Sequence, residues 1–283
     1  MTSVKYDRQI KISGWNQDKL SNARVAVIGA GALGNHVCLG LIGLGIGTIK
    51  IYDYDTIESH NLNRQSLFCE EDIGHNKAEI LAERLEKRNS GIIIVGIDEK
   101  IEESTIDSVI RNVDLVIDCV DLIHVRKILN YYCIQNDIPM IHGGLSWFGG
   151  QVGILSRKTP CINCIFPESV QKQELQQETS CIYKPEPSVV YTSQIVAGLM
   201  VKCVREVLMP LPSDPPRKPG LIKFDFRFEK PFYFEPIQRK EKCECRKILK
   251  EVAPEILKKE RADKRKQKEM EKEEVAAFLA DLS

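Results

Sequence analysis

Residues 25–34 read VAVIGAGALG, and this stretch decides the fold. The apolar run VAVI predicts a buried strand, and Gly29, Gly31 and Gly34 predict a tight turn that opens a helix. In this context the spacing G-x-G-x-x-G is typical of a phosphate-binding turn. Backbone N–H groups approach the phosphate there, and the positive end of the helix dipole faces it.

Strands and helices alternate along the first half of the chain. The patterns predict strands over 48–55, 91–97, 114–121 and 139–144, and helices over 35–44, 77–88 and 125–136. Such alternation predicts an α/β fold with a Rossmann-like, doubly wound, mostly parallel sheet. Ligands bind such sheets beyond the carboxyl ends of the strands.

The second half predicts an antiparallel C-terminal extension of the same sheet. Strand patterns occur at 150–156, 221–228 and 232–237, and a long helix is expected over 188–209. We expect one folded domain over 1–250. Residues 251–283 are highly charged and end in VAAFLADLS, which predicts a charged helical tail with an apolar end.

Composition excludes several classes of function. The 283 residues include 40 basic and 40 acidic side chains, and this zero net charge argues against a general nucleic-acid binder. No apolar run is long enough to span a membrane, and the N-terminus lacks the apolar core of a signal peptide. Ten cysteines without a secretory signal indicate a cytoplasmic protein, in which close cysteine pairs more often bind metal than form disulfides.

Acidic side chains after the second predicted strand indicate a nucleotide. Asp53 lies nineteen residues after Gly34, where a ribose-binding carboxylate is expected, and Asp55 is a second candidate cofactor-binding residue. These features suit NAD and ATP equally, since both contain adenosine.

Residues further along the chain favour ATP. Asn61, Arg64 and Gln65 follow the second strand, and Lys77 begins the next predicted helix. Cleavage of ATP at its α-phosphate places charge on the departing pyrophosphate, and fixed cations stabilise that charge, whereas a dehydrogenase keeps its pyrophosphate bound. Asp121, at the end of DLVIDCVD, is placed to hold Mg²⁺ on the phosphates.

Each of these residues also has a plainer interpretation. Lys77 would be a solvated lysine, Asp121 the N-cap of a helix, and Arg64 the partner of a surface acid. Taken singly, the plainer interpretations are favoured. The joint occurrence of the residues, in order and at strand ends, favours an ATP site.

A set of motifs occurs in order along the chain. The set is YDRQI, GAGALG, IYDYD, NLNRQ, GHNKAE, DCVD, HGGLSWFGGQ and CINC. Over about residues 5–248 it resembles the ThiF/MoeB family of ubiquitin-activating-enzyme-like adenylyltransferases. The resemblance implies a homodimer that uses Mg-ATP to adenylate the C-terminal glycine of a ubiquitin-like or sulfur-carrier protein.

The resemblance also implies a role for each matching residue. Asp53 would bind ribose, Asp121 would hold Mg²⁺, and Arg8 would reach the phosphates of the neighbouring subunit's ATP. The phosphates in the same subunit would be contacted by Asn61, Arg64 and Lys77. Leu122 departs from the family pattern, which often has asparagine at this position.

The segment HGGLSWFGG, residues 142–150, has few bulky side chains apart from Trp147 and Phe148. A thin, extended tail that ends in Gly-Gly would pass over such a surface. A crowded junction between a strand and a loop would have the same composition. Both interpretations stay open.

Two close pairs of cysteines predict a structural zinc site. Cys161 and Cys164 form CINC, and Cys243 and Cys245 form KCEC about eighty residues later. Four thiolates in a tetrahedron would clip the crossover after CINC to the last strands. A reduced, metal-free pair is the alternative, and the C-x-C spacing of the second pair weakens the pattern.

Cys181 is a candidate nucleophile, because it lies in the polar stretch ETSCIYKPEPS beside Lys184. In the family that the chain resembles, a cysteine in this region can capture the activated glycine as a thioester or acyl-disulfide, and some members do not need it. An exposed bystander is the alternative.

The predicted function is adenylation followed by transfer to a cysteine in a protein-conjugation pathway. The tail over 251–283 would dock the carrier or a conjugating enzyme, or would pack in a dimer. Sulfur transfer in thiamine- or molybdopterin-type cofactor synthesis is the main alternative. A further alternative is a relative in the same family that adenylates a small carboxylate, a peptide or a modified tRNA base. An NAD-dependent oxidoreductase and a non-catalytic scaffold are the least favoured interpretations.

Overall fold

An eight-stranded sheet forms the centre of the protein in the computed structural model, which describes residues 4–166 and 187–252. The strands are β1 (Arg24–Ile28), β2 (Thr48–Tyr52), β3 (Ile93–Ile97), β4 (Leu115–Asp118), β5 (Met140–Ser146), β6 (Gly149–Leu155), β7 (Gly220–Asp225) and β8 (Phe232–Pro236). The helices are α1 (Asp7–Ile10), α2 (Gln17–Ser21), α3 (Ala32–Leu44), α4 (Lys77–Glu86), α5 (Ile106–Ile110), α6 (Ile123–Gln135), α7 (Ile162–Ile165) and α8 (Val190–Leu208). Within these ranges no helix has the length and apolar character needed to cross a bilayer.

Five strands, in the order β3-β2-β1-β4-β5, form the parallel part of the sheet. Ile28 at the end of β1 pairs with Tyr52 on one side and with Asp118 on the other. The turns that follow these three strands therefore meet at one edge of the sheet. The predicted doubly wound, mostly parallel sheet is confirmed.

The last three strands continue the same sheet in antiparallel pairing, as predicted. The segment 142–150 is largely the hairpin of β5 and β6, which turns at Trp147 and Phe148. β8 is one of the two edge strands of the sheet, and most of its side chains are exposed.

Helices cover both faces of the sheet, because the parallel strands bury side chains on both sides. Val25 and Val27 of β1 pack in the cluster that contains α3, α4 and α8, whereas Ala26 and Ile28 face α5 and α6. α3 and α8 lie very close together, since a Cβ on Gly40 would lie 2.6 Å from Cγ2 of Val201. The packing of α3 against α8 and the sheet fixes the position of α3, which begins where the glycine-rich turn ends.

Some boundaries differ from the sequence prediction. The strand expected over 114–121 ends at Asp118, so Cys119 and Asp121 lie in a turn that leads into α6. The short helices α1 and α2 were not expected, because four or five residues are too few to show helical periodicity. Residues 244–252 are helical and cross the expected boundary at 250, while the rest of the tail lies outside the described residues.

Candidate active site

The glycine-rich turn joins β1 to α3 with the geometry that its spacing predicts. Gly29 has a φ of +98°, a left-handed conformation that favours glycine, and a Cβ there would lie 2.8 Å from the carbonyl oxygen of Cys119. A Cβ on Gly34 would lie 1.8 Å from the carbonyl oxygen of Gly29. Gly31 is the N-cap of α3, and the nearest atom to a Cβ there would be Nε2 of Gln65, at 3.9 Å. The start of α3 is therefore open to a phosphate.

Asp53 follows β2 and connects it to the glycine-rich turn. Its Oδ2 accepts a 2.6 Å hydrogen bond from the N–H of Ala30, and its Oδ1 accepts a 2.9 Å hydrogen bond from the N–H of Asp55. Burial raises the pKa of the Asp53 carboxyl, and these two hydrogen bonds partly oppose the rise. Each oxygen keeps a lone pair that would accept a hydrogen bond from a ribose hydroxyl.

Lys77 is the first residue of α4 and is only 7% exposed, so it is not the solvated lysine of the plainer interpretation. Its Nζ lies 2.9 Å from Oδ2 of Asp55, whose side chain is half exposed. Asn76 caps the helix, since its Oδ1 accepts hydrogen bonds from the first turn and its Nδ2 donates to the carbonyl oxygen of Asp53. A buried ammonium group is thus fixed at the edge of the sheet where a phosphate would bind.

A second cation lies in the loop between β2 and α4. Arg64 is partly exposed, and its Nη1 donates to the carbonyl oxygen of His60 at 2.7 Å and to Oδ1 of Asn63 at 3.0 Å. Asn61 is buried and accepts a backbone hydrogen bond within the same loop. Gln65 is also buried, and its Oε1 has no hydrogen-bond partner in the part of the chain that the structure describes.

Asp121 is exposed in the turn after β4. The N-cap of α6 is Leu122, so Asp121 does not have the capping role of the plainer interpretation. Arg126 stabilises the turn, because its Nη2 donates to the carbonyl oxygen of Val120. A carboxylate here would be a ligand for Mg²⁺ on bound phosphates.

One open cavity of about 1070 Å³ brings the predicted nucleotide residues together. All of the predicted cofactor-binding residues except Gly34 line it, including both candidate cations and Asp121. The cavity continues past the hairpin of β5 and β6 to Lys223 on β7. Arg8 does not line the cavity and is exposed on α1, so a single chain does not bring it to the site.

Close packing accounts for most glycines of the hairpin. A Cβ on Gly143 would lie 2.3 Å from Sδ of Met200, and one on Gly150 would lie 2.3 Å from Cγ2 of Val196. A Cβ on Gly144 would meet only the side chain of Gln151, at 3.2 Å or more. Crowding against α8 therefore explains Gly143 and Gly150, and Gly144 is the glycine that leaves room in the cavity wall.

A buried polar network lies beneath the cavity, and none of the sequence motifs predicts it. Nδ1 of His142 is 2.7 Å from Oδ2 of Asp118, and both residues are fully buried. Nε2 of His142 is 3.2 Å from Nε2 of Gln151, which lines the cavity. Nε of Arg126 is 3.4 Å from the same carboxylate oxygen, close enough for an ion pair but without hydrogen-bond geometry. The sequence offered one sign of this network, because Asp118 and His142 are ionisable residues inside apolar strands.

The four cysteines of the predicted zinc site lie together and are buried. Sγ of Cys161 is 3.6 Å from Sγ of Cys164 and 3.3 Å from Sγ of Cys243, and Sγ of Cys164 is 4.0 Å from Sγ of Cys245. Tetrahedral zinc with Zn–S bonds of about 2.3 Å would hold its sulfurs about 3.8 Å apart, so the cluster fits this metal.

Backbone N–H groups support the sulfur cluster. The N–H of Lys240 lies 3.4 Å from Sγ of Cys164. Burial opposes ionisation of Cys164, but hydrogen bonds from the N–H groups of Cys161 and Lys240 and from neighbouring thiols outweigh it and lower the pKa of this thiol. A lowered pKa favours the thiolate that binds metal. The pKa values of two other members are raised instead: that of Cys243 to about 11 by burial, and that of Cys161 by its hydrogen bond to Cys245. Cys181, the candidate nucleophile, lies outside the described residues.

The sequence profile of the ThiF family matches residues 6–247. The SAMP-activating enzyme E1 of Haloferax volcanii is 33% identical over 168 residues, which are 58% of this chain and 62% of that protein. The sulfur carrier protein ThiS adenylyltransferase of Escherichia coli is 30% identical over 201 residues, 69% of this chain and 80% of that protein. This chain thus spans less than two thirds of the archaeal relative's length, and it spans 42% of the adenylyltransferase and sulfurtransferase MOCS3 of Caenorhabditis briggsae.

Solved structures of Escherichia coli MccB share the fold. MccB with AMPCPP and MccA superposes with a TM-score of 0.73 at 29% sequence identity, over 86% of this chain and 74% of that one. MccB with ATP superposes with a TM-score of 0.69 at 30% identity, over 81% and 67% of the two chains.

Proposed function

This chain belongs to the ThiF family, and from that premise we propose that it adenylates the C-terminal glycine of a ubiquitin-like or sulfur-carrier protein with ATP. The observation that carries the proposal is the single cavity, which joins the glycine-rich turn, two cations and a carboxylate to the hairpin of β5 and β6. Relatives named as the activating enzyme of SAMP and the adenylyltransferase of ThiS support this class of substrate, and MccB solved with ATP supports the nucleotide.

The reaction would join a carboxylate to AMP. One oxygen of the substrate carboxylate attacks the α-phosphorus of ATP, so a new P–O bond forms as the bond to pyrophosphate breaks. No general base is required, because the carboxylate is already ionised at neutral pH. The protein aligns the two reactants and stabilises charge on the departing pyrophosphate.

Several cations line the cavity, and Lys77 and Arg64 are the two proposed to stabilise this charge. Lys77 is suited to the task, because its ammonium group is already buried and held 2.9 Å from Asp55 before a ligand binds. Such a group needs little reorganisation during the reaction, which is the condition for strong electrostatic catalysis.

Asp121 would hold Mg²⁺ on the phosphates, and the bound ion would neutralise charge on their oxygens. The exposed carboxylate suits a hard cation, because it is open to the cavity and the turn that carries it is restrained by Arg126.

The far end of the cavity supports a protein as the second substrate. Three aromatic side chains here are 41–53% exposed but lie on two sides of the sheet. Tyr233 of β8 lines the cavity, whereas Phe232 points to the opposite face and contacts Phe226. Exposed aromatic surface of this kind is typical of a contact with another macromolecule. A carrier bound against Tyr233 would have its C-terminal segment directed into the cavity beside Gly144.

Exchange of pyrophosphate into ATP tests the proposal. The assay uses radiolabelled pyrophosphate and a small β-grasp carrier that ends in Gly-Gly and is encoded near this chain. We expect exchange with the intact carrier and none with the carrier that lacks its terminal glycine. Exchange that is insensitive to this deletion, or tighter binding of NAD than of ATP, would contradict the proposal.

The fate of the activated glycine has two candidates. Conjugation through Cys181 is the first, and replacing Cys181 with alanine should then spare adenylation and abolish covalent capture. Sulfur transfer is the second, because a ThiS adenylyltransferase and a molybdopterin-synthase adenylyltransferase are among the relatives. Under conjugation, deletion of 254–283 should weaken transfer to a partner and leave pyrophosphate exchange unchanged.

Two further parts of the proposal concern structure. Zinc would occupy the cluster of four buried cysteines and join the segment after β6 to residues 243–252. A homodimer would place Arg8 at the phosphates of the neighbouring subunit, because its exposed position on α1 lies away from the cavity of its own chain.

A further inference from the structure

We propose that Gln151 recognises a backbone N–H group of the substrate's C-terminal segment through its Oε1, and that His142 and Asp118 fix the amide in the orientation this requires. The inference rests on the proposed adenylation and adds a recognition residue to the same cavity. Gln151 lies on β6 and lines the cavity opposite Gly144 of β5.

Asp118 determines which nitrogen of His142 carries the proton. The carboxylate is fully buried at the end of β4, and the charge of Arg126 lies 3.4 Å from it. An ionised carboxylate only accepts hydrogen bonds, so Nδ1 of His142, at 2.7 Å, must be the donor.

The imidazole of His142 is neutral in this setting. Burial lowers the pKa of His142, although the hydrogen bond to Asp118 partly opposes this. The charges of Asp118 and Arg126 already cancel, so a second proton on the ring would leave an unpaired positive charge in a buried site. Nε2 of His142 therefore has a lone pair and accepts a hydrogen bond.

Gln151 is oriented by that lone pair. Its Nε2 lies 3.2 Å from Nε2 of His142. In a glutamine amide the nitrogen donates hydrogen bonds and the oxygen accepts them, so Nε2 must be the atom that faces the lone pair. The flipped amide would set two acceptors against each other. Oε1 is therefore left for the cavity, and in the part of the chain that the structure describes it has no partner and is not among the buried unpaired atoms.

An acceptor in the cavity wall selects a ligand that donates. An extended C-terminal segment carries an N–H at each peptide bond, and glycines leave those groups accessible on both sides. The adenine amino group and the ribose hydroxyls also donate, so the test must separate recognition of the peptide from recognition of the nucleotide.

Two stable mimics of the acyl adenylate make the test independent of the carrier's identity. The first is 5′-O-[N-(glycylglycyl)sulfamoyl]adenosine, and the second is the same compound methylated at the nitrogen of its glycyl-glycine peptide bond. Calorimetry should show that the wild-type chain binds the N–H compound about 3- to 10-fold more tightly than the N-methyl compound, as the loss of one hydrogen bond predicts.

Variants assign this preference to Gln151. Gln151→Met, which lacks the acceptor, should bind both compounds equally and bind ATP as the wild type does. Gln135→Met is the matched control, because Gln135 lies at the end of α6 and does not line the cavity. His142→Phe, which removes the fixed acceptor behind the amide, should reduce the preference without changing ATP affinity.

Each contrary outcome has a distinct meaning. Full retention of the preference in Gln151→Met would overturn the recognition role. An equal loss of ATP affinity in Gln151→Met would assign the amide to the nucleotide and also overturn it. Failure of the wild-type chain to bind either ATP or the N–H compound would contradict the proposed adenylation instead.

Discussion

At the scale of single residues, the cavity and the polar network beneath it contain charges that are paired before a ligand binds. Lys77 is buried against Asp55, and Asp118 is buried against His142 and Arg126. The sequence predicted Lys77 because it begins a predicted helix and lies in a motif. The pairing with Asp55 and the position of His142 depend on contacts between separate strands and helices, so no local pattern revealed them.

Loss of the Lys77 charge should slow adenylation with little change in folding. We expect Lys77→Ala to lower the rate of pyrophosphate exchange by about 10²- to 10³-fold, as for removal of one preorganised electrostatic group. Lys87→Ala is the control, because Lys87 is the C-cap of the same helix and pairs with Glu83 on the surface. Retention of more than half of the wild-type rate in Lys77→Ala would contradict the role of Lys77.

His142 should make stability depend on pH. Its pKa is lowered in the folded chain from the ordinary 6.5, so below about pH 6.5 the unfolded chain binds a proton that the folded chain does not. Stability is therefore fully present above pH 6.5 and falls as the pH drops below it.

Urea unfolding at pH 7.5 and pH 5.5 measures this effect. The free energy of unfolding should fall by about 1 kcal/mol more in the wild type than in His142→Gln. His60→Gln, a change at an exposed histidine, should behave as the wild type does. Equal pH dependence in His142→Gln and the wild type would show that His142 is not buried in neutral form.

At the scale of elements, local signals predicted most strands and helices. The glycine-rich turn, the alternating strands and the antiparallel extension all follow from spacing and periodicity. The end of β4 was placed three residues too late, because Asp118 is the last residue that pairs with β5, at His142, and this pairing is not a local property. That error hid the turn that presents Asp121.

The turn and α3 offer a matched pair of glycine substitutions. Gly34→Ala should destabilise the chain by about 1–3 kcal/mol and weaken ATP binding, because its Cβ would lie 1.8 Å from the carbonyl oxygen of Gly29. Gly43→Ala, on the same helix with nothing within 4 Å of the added atom, should be neutral or stabilising by up to about 1 kcal/mol. Thermal unfolding and ATP titration measure both effects, and equal behaviour of the two variants would contradict the close approach at Gly34.

At the scale of the whole molecule, the fold brings distant parts of the chain together. Cysteine spacing suggested that 161–164 and 243–245 meet, and the structure places their sulfurs in one buried cluster. The sequence did not reveal the hairpin's packing against α8 or the exposed aromatic surface, because both arise from the arrangement of β6 to β8.

Zinc should stabilise the whole molecule through this cluster. Elemental analysis of the purified chain should find about one zinc per chain, and Cys164→Ser should lose most of it and lower the unfolding temperature by roughly 5 °C or more. Cys203→Ser is the control for zinc content, because Cys203 is a free cysteine outside both groups of residues in the described chain that could hold a metal. Absence of zinc from the wild-type chain would exclude the metal.

A mixture of two inactive variants tests whether Arg8 acts across a dimer. Arg8→Ala and Lys77→Ala should each be nearly inactive. After mixing and subunit exchange, a mixed dimer contains one intact site, so the mixture should recover about a quarter of the wild-type activity. A mixture that stays inactive after verified exchange would contradict a shared site.

Attack by a carboxylate on the α-phosphorus is the central claim, and oxygen labelling tests it most directly. The carrier's terminal carboxylate is labelled with ¹⁸O, the reaction is run with ATP, and the adenylate is hydrolysed by water that attacks its carbonyl carbon. Mass spectrometry should find one ¹⁸O in the released AMP. Unlabelled AMP, or ADP as the nucleotide product, would contradict adenylation.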